Sequence, residues 1–334
     1  MKLIIQIPCY NEEQTLSATV ADLPRQIDGI DTIEYLVVND GSRDRTVEVA
    51  RDVGVHHIVS FKANRGLARA FEAGIDACLR LGADIIVNTD ADNQYCGADI
   101  EKLVEPVLQN RAEIVIGERP IDDIKHFSPI KKRLQRAGSF VVRIASGTNV
   151  PDAPSGFRAY TREAALRVNI INAYTYTLET IIQAGHNRIP MTSVLIRTNP
   201  ETRESRLFKS MFSYLKRSVL VIIRSFMMYK PLKFFSIIGG LVSTVGVAFI
   251  VRWLILSAQG LSGGNVQSLI LAAMLIMIGV QFIIAGMQAD VISANRKILE
   301  DVQYRVRKLD YPKENSIEKA SEEKVFASQE QQIR

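Results

Sequence analysis

The chain is poor in the residues that build disulfide frameworks and zinc sites. Its three cysteines, Cys9, Cys78 and Cys96, are odd in number and far apart, so they read as free thiols of a reducing compartment rather than as a disulfide framework. The four histidines, His56, His57, His126 and His186, lack metal-ligand spacing, which argues against a zinc centre. No recognition helix, aromatic-rich ribonucleoprotein strand or zinc finger is present, so nucleic acid is not an expected partner. Before Pro8 there is one lysine and a short apolar run, too little for a secretory leader, and the stretch reads as the first strand of a cytoplasmic domain.

Charge is also missing where it matters most. The net charge is only +5, but Leu232 to Gln288 is almost uncharged, and the basic residues crowd beside it. Within it, Leu232–Leu256 and Val266–Gln288 are each long enough for a bilayer core, which needs about 20 apolar residues. Apart from Lys233 at its edge, only Arg252 interrupts the first stretch, and a long cationic side chain there can snorkel to an interface. Lys and Arg crowd both outer flanks, from Lys209 to Lys233 and from Arg296 to Lys308, which places both ends of the hairpin on the cytoplasmic side.

The first two hundred residues alternate short apolar runs with helical periodicity. Strands are expected at Leu3–Ile7, closed by Pro8, and at Ile33–Asn39, Ile58–Phe61, Asp84–Thr89, Glu113–Ile116 and Ile189–Ile196. Helices are expected near Glu12–Leu23, Thr46–Val53, Leu67–Leu81, Asp99–Leu108 and Tyr176–Ala184, with Thr161 capping a further turn. This alternation predicts an α/β fold with a doubly wound, mostly parallel sheet. Two basic amphipathic stretches follow a different rule. Residues 124–148 and 201–231 carry many Lys and Arg with almost no acid at helical apolar spacing, and they read as helices lying at a membrane surface, the first with a solvated helix packed on the domain as its alternative. Asn295–Leu309 reads as a last interfacial helix, and the polar residues beyond Pro312 as a disordered tail. The domain plan is therefore 1–200 catalytic, 201–231 juxtamembrane, 232–289 membrane hairpin and 290–334 cytoplasmic.

The chemistry concentrates in Val87-Asn88-Thr89-Asp90-Ala91-Asp92-Asn93-Gln94. A buried strand running into spaced carboxylates delivers them to the sheet's C-terminal edge, where open α/β sheets bind ligands. Asp90, Asp92 and Gln94 could hold a hard divalent cation facing a diphosphate, whereas a bare D-x-D could equally be a turn with an Asx cap.

Together with Pro8-Cys9-Tyr10-Asn11-Glu12, Val38-Asn39-Asp40-Gly41-Ser42, Asn64-Arg65-Gly66 and Ser155-Gly156-Phe157-Arg158, this stretch resembles the glycosyltransferase family 2 enzymes of GT-A fold. The hairpin makes the chain similar to polyprenyl phosphate glycosyltransferases, the relatives of dolichol phosphate mannose synthase. The resemblance implies Mg²⁺ or Mn²⁺ on Asp90, Asp92 and Gln94, and a UDP- or GDP-linked sugar held by Pro8, Tyr10, Glu12, Asp40, Asn64, Gly66, Asp90 and Ala91. It implies a polyprenyl (undecaprenyl or dolichyl) phosphate acceptor positioned by Arg119, Arg197, Arg203 and Arg206, with Asp92, Arg119 and Arg158 as catalytic groups and inversion at the anomeric carbon. Some relatives carry an acid at the place of Gly156. This chain does not, which leaves Asp152 as the remaining candidate base.

The expected location is the inner membrane, multi-pass, with the catalytic domain and both termini cytoplasmic, and self-association through the spans is left open. Two other readings stand beside this one. A non-catalytic nucleotide-sugar-binding scaffold would have no need of the acidic cluster. A polysaccharide synthase would need a Gln-x-x-Arg-Trp motif, yet Phe249 stands where the Gln belongs before Arg252-Trp253.

Overall fold

A computed structural model describes residues 1–120, 138–140, 142–143, 146–170, 176–200, 223–224, 226–227, 229–260 and 266–312. The described residues fall into two compact units, the first running to residue 218 and resuming at 302, the second spanning 219–301. Most of the basic stretch 124–148, and residues 201–222 with Arg203 and Arg206, lie outside the described residues.

In the first unit the central apolar runs become strands because both of their faces are covered. Strand β1 (Lys2–Cys9) is buried from Leu3 to Cys9. Its odd residues Leu3, Ile5, Ile7 and Cys9 join Leu16 and Val20 of α1 (Leu16–Asp22) and Ile100, Leu103 and Val104 of α4 (Ile100–Leu108) in one core. On the other face, Gly74 of α3 (Leu67–Arg80) packs onto Gln6 and onto Val38 of β2 (Thr32–Asn39). Helix α2 (Thr46–Asp52) connects β2 to β3 (His57–Ser60). With β4 (Ile85–Asn88), β5 (Ile114–Glu118), β6 (Arg158–Thr161) and β7 (Met191–Leu195), the sheet has the order β3-β2-β1-β4-β6-β5-β7. All pairs are parallel except those of β6, which runs antiparallel to both β4 and β5. Helix α5 (Arg162–Arg167) follows β6, and α6 (Thr177–His186) precedes β7. Thr161 caps α5, its Oγ1 accepting from the Ala164 N–H at 3.0 Å.

Pro8 does not end β1, contrary to the sequence expectation: the ladder with β2 continues to Cys9↔Asn39. The Gln6 carbonyl accepts from Thr89 on the β4 side and the Cys9 carbonyl from Asp40 on the β2 side, so position 8 faces β4. The β4 ladder has already stopped at Gln6↔Asn88, so the missing proline N–H interrupts no bond of that ladder. The first helix is likewise shorter than expected. Asn11 adopts a left-handed φ of 57°, and Glu12 accepts from the N–H groups of Thr15 and Leu16 in a turn that delays α1 to Leu16.

In the second unit, α7 (Pro231–Ala258) opens with proline at its first turn, where no N–H is required. Helix α8 runs unbroken from Val266 to Asp310. It absorbs the separate helix expected at 295–309, because nothing between Gln288 and Asp310 is glycine or proline and Pro312 supplies the stop. Both helices are long and apolar enough to cross a membrane, and large apolar side chains such as Leu241, Ile270, Met274 and Met277 are exposed on them. Such a surface marks this unit as membrane-associated. The two helices approach closely at Gly279, where a Cβ would lie 2.1 Å from Ser243 Oγ and 2.6 Å from the Gly239 carbonyl.

The last turns of α8 belong to the first unit. Arg307 donates to the Val168 carbonyl and lies 3.2 Å from Asp76, Tyr304 donates to Glu163, and Arg162 donates to the Tyr311 carbonyl at 2.6 Å.

Candidate active site

At the C-terminal end of β4 a buried polar chain fixes the chemistry-bearing loops. Asn88 Oδ1 accepts from Gln6 Nε2 at 3.0 Å, and its Nδ2 donates to the Gly156 carbonyl at 2.8 Å and to the Tyr176 hydroxyl at 2.9 Å. The Gly156 N–H donates to the Tyr95 hydroxyl at 3.2 Å, and that hydroxyl also hydrogen-bonds Asp90. Gly156 is a close-approach position: a Cβ there would lie 2.9 Å from the Tyr176 hydroxyl and 3.2 and 3.3 Å from the two Asp90 oxygens.

Asp90 follows Thr89 at this edge, and Asp92 stands two residues further into the loop. Burial, then repulsion from Asp92, pushes the Asp90 carboxyl well above the ordinary carboxylate range, with Glu12 adding to the push and Arg119 opposing it. Asp92 Oδ1 accepts from the Gln94 N–H at 3.1 Å, an Asx turn, and the Ala91 carbonyl is held by Thr19 Oγ1 at 2.9 Å. Turn and carboxylate pair therefore coexist, and the two sequence alternatives do not exclude each other. Among the described residues no group of three or more His, Cys, Asp or Glu is placed to hold a metal ion. Two crowded carboxylates still fit a hard cation of the Mg²⁺ type, which takes one or two carboxylates and completes its shell with waters and substrate phosphate.

The arginines are distributed differently from the sequence expectation. Arg119 makes a two-point ion pair with Asp152, Nε to Oδ2 at 2.7 Å and Nη2 to Oδ1 at 3.0 Å. Burial works against the Arg119 charge, and Asp152, Tyr95 and Asp90 together more than offset it. Arg158, expected as a catalytic group facing phosphate, is fully buried. Its guanidinium donates to the carbonyls of Ser155 and Ala153, both at 2.8 Å, and to Thr180 Oγ1 at 2.7 Å, so it braces the loop that carries Gly156. Arg197 is exposed but tied to buried Asp99, with Nη2 to Oδ1 at 2.7 Å.

The residues expected on the nucleotide side lie on the neighbouring strand ends and the loops that follow them. The Asp40 oxygens accept from the N–H groups of Arg65 at 2.7 Å and Gly66 at 2.9 Å, which closes the 61–66 loop over Gly41. This occupies the carboxylate that was expected to meet a base N–H. Glu12 accepts from Thr15 Oγ1 while its N–H donates to Thr46 Oγ1; Tyr10 and Asn64 are exposed, and Pro8 and Ala91 are buried. Asn88, Tyr95, Tyr176 and Asn199 escaped the sequence reading. Only the first two had a local signal, as polar residues flanking the acid pair.

A mostly parallel sheet that brings paired carboxylates to its C-terminal edge is the arrangement of the GT-A fold, and the chain's likeness to known proteins is to glycosyltransferases. The match to the model of glycosyl transferase family 2 runs over residues 4–168. A UDP-N-acetylglucosamine–dolichyl-phosphate N-acetylglucosaminyltransferase of Methanococcus voltae is 31% identical over 215 residues, 58% of this chain and 83% of that one. The chain therefore belongs to glycosyl transferase family 2. An undecaprenyl-phosphate 4-deoxy-4-formamido-L-arabinose transferase of Sodalis glossinidius is 28% identical over 319 residues and 92% of each chain, so the likeness extends through both apolar helices. Among solved structures, glucosyl-3-phosphoglycerate synthase of Mycobacterium tuberculosis, in complex with Mn²⁺, UDP and its product, shares the fold. Its TM-score is 0.51 at 19% identity, covering 68% of this chain and 78% of that one.

Proposed function

We propose that this enzyme transfers a sugar from a nucleotide diphosphate sugar to a polyprenyl phosphate at the cytoplasmic membrane face, with inversion at the anomeric carbon. The observation that carries the reading is the placement of Asp90 and Asp92 in one short loop at the end of β4, Asp90 seated against Gly156 and Asp92 set by its turn to Gln94, a carboxylate pair suited to a divalent cation. The relatives' polyprenyl phosphate acceptors and the exposed apolar helices support the lipid half of the reading. The UDP and Mn²⁺ in the mycobacterial structure support the donor half.

A Mg²⁺ or Mn²⁺ ion held by Asp90 and Asp92, with Gln94 as the third expected donor, would stabilise the charge that develops on the leaving diphosphate. The chain's own residues supply the rest. Pro8, Tyr10, Glu12, Asp40, Asn64, Gly66 and Ala91 form the nucleotide side of the cleft, with the Asp40-closed loop as its wall. Tyr95 and Gly156 fix the Asp90 carboxylate, and Arg119 puts a permanent cation beside it. A phosphate monoester has a second pKa near 6, so the acceptor oxygen is already largely anionic at neutral pH and needs no base. That agrees with Asp152, whose two oxygens are committed to Arg119. Arg197, Arg203 and Arg206 are left to draw in the lipid phosphate.

The test uses full-length protein in nanodiscs with Mg²⁺ or Mn²⁺, a panel of UDP- and GDP-sugars and a polyprenyl phosphate, and counts labelled sugar extracted into the lipid phase. Transfer is expected with one donor class, and Asp92→Ala should lower it at least a thousandfold with an unchanged circular dichroism spectrum. Undiminished turnover in Asp92→Ala refutes the metal role, and absence of transfer with every donor refutes the activity.

A further inference from the structure

We propose that Asn199 is a positioning residue for the loop that carries Asp92 and Gln94, an inference that rests on the reading of Asp90 and Asp92 as cation ligands. Asp90 is set by Tyr95 and Gly156 at the edge of β4. Asp92 lies two residues beyond, and the loop around it is gripped from outside by the chain that follows β7. Three successive residues pair with the loop: the Arg197 carbonyl accepts from the Cys96 N–H at 3.3 Å, Thr198 forms an antiparallel bridge with Tyr95, and the Asn199 N–H donates to the Gln94 carbonyl at 2.8 Å.

The Asn199 side chain then closes the turn. Its Nδ2 faces the carbonyls of Asn93 at 3.1 Å and Tyr95 at 3.4 Å, Asn93 Oδ1 at 3.5 Å and Asp22 Oδ2 at 3.4 Å. An amide nitrogen carries two hydrogens, so it serves these acceptors in part, with the Asn93 carbonyl the nearest. Asn93 is the residue whose left-handed φ of 55° reverses the chain between Asp92 and Gln94. Asp22 is shared with the far end of the same loop, accepting from the Gly97 N–H at 2.6 Å. Removing the Asn199 amide frees the carbonyls on both sides of Gln94. Asp92, anchored through the Gln94 N–H, then loses its fixed aim toward the ion, whereas Asp90 keeps its own.

Mn²⁺ binding to full-length protein in detergent micelles, read by the electron paramagnetic resonance signal of the free ion, tests this without turnover. Asn199→Ala should raise the Mn²⁺ dissociation constant about tenfold or more, shift the metal-free melting temperature little, and regain much of its transfer rate at saturating Mn²⁺. Arg197→Ala, which breaks the tie to Asp99 but spares the Asn199 amide, should bind Mn²⁺ like the wild type. If Asn199→Ala does not fold, Asn199→Ser keeps the backbone pairing while withdrawing the amide and is read in the same way. Wild-type Mn²⁺ affinity in either folded variant, with binding lost in Asp92→Ala, overturns the role of Asn199 alone. Failure of the wild type to bind Mn²⁺, or undiminished binding by Asp92→Ala, overturns the underlying metal reading as well.

Discussion

Arg158→Lys separates two roles for the arginine of the Ser-Gly-Phe-Arg stretch. The guanidinium is fully buried and satisfies three protein oxygens at once, the carbonyls of Ser155 and Ala153 and the hydroxyl of Thr180. Lysine keeps the charge and three N–H groups but gathers them on one nitrogen, which cannot span the oxygens that three separate guanidinium nitrogens reach, so it keeps one of these contacts and abandons two. Hydrogen bonds to a charged group contribute about 1.5–3 kcal/mol each, so the substitution should cost roughly 3–6 kcal/mol. For a domain of this size each kcal/mol moves the melting temperature by about 2–4 °C, which predicts a fall on the order of 10 °C.

Far-UV circular dichroism melting of the metal-free protein measures this directly, beside the kcat and the KM for the lipid acceptor. Because the brace holds the loop carrying Gly156 against Asp90, kcat should fall while the acceptor KM stays within about twofold of wild type. A variant that melts within about 2 °C of wild type but needs tenfold more acceptor would refute the reasoning. Arg158 would then be a phosphate contact.

Two further outcomes follow from the same geometry. Gly156→Ala places a methyl 2.9 Å from the Tyr176 hydroxyl and 3.2 Å from the Asp90 carboxylate, so transfer should fall at least tenfold, about 1.4 kcal/mol in the barrier, while the melting curve stays cooperative; an unchanged rate would show that Asp90 needs no fixed seat. The acid limb of stability should be set by Glu34, Asp44, Asp99 and Glu163. Burial pushes each of these carboxyls up, and hydrogen bonds hold each below its usual value: Lys2 and His57 at Glu34, Thr46 at Asp44, Arg197 and Lys102 at Asp99, Tyr304 and Arg167 at Glu163. Groups whose folded pKa is depressed stabilise the protein fully above the ordinary carboxylate range and stop doing so as pH falls through their lowered values. The melting temperature should therefore fall increasingly below about pH 4, and a rise on acidification over that range would contradict the assignment.

The inner parallel strands were legible because they are buried on both faces and read as continuous apolar runs, Leu3–Ile7 and Asp84–Thr89 above all. Helix α8 was misdivided for a physical reason. The change from apolar to charged residues after Gln288 records a change of surroundings, while the backbone meets no helix-ending residue before Pro312. Arg158 and Asp40 show a different limit. An arginine fork suits two carbonyls as well as a phosphate, and a carboxylate suits two loop N–H groups as well as a base. Residue type alone cannot say which partner the fold supplies.

The least legible element, β6, is the one on which the site depends. It has four residues, includes a buried arginine, and pairs with strands distant in sequence, so no local pattern announced it. Its direction decides what reaches the acids. Running antiparallel to β4, with Asn88 opposite Arg158 and Ile85 opposite Thr161, it sets its N-terminal end at the C-terminal end of β4. Ser155 and Gly156 thereby arrive beside Asn88 and Asp90, where the glycine leaves room for the carboxylate and donates its N–H to Tyr95. A parallel strand in the same place would have brought Thr161 and the start of α5 to that edge and carried the Gly156 loop to the opposite one. The Ser-Gly-Phe-Arg stretch is therefore bound to the acid pair by strand polarity, and its arginine, pointing into the core, holds the loop where that polarity puts it.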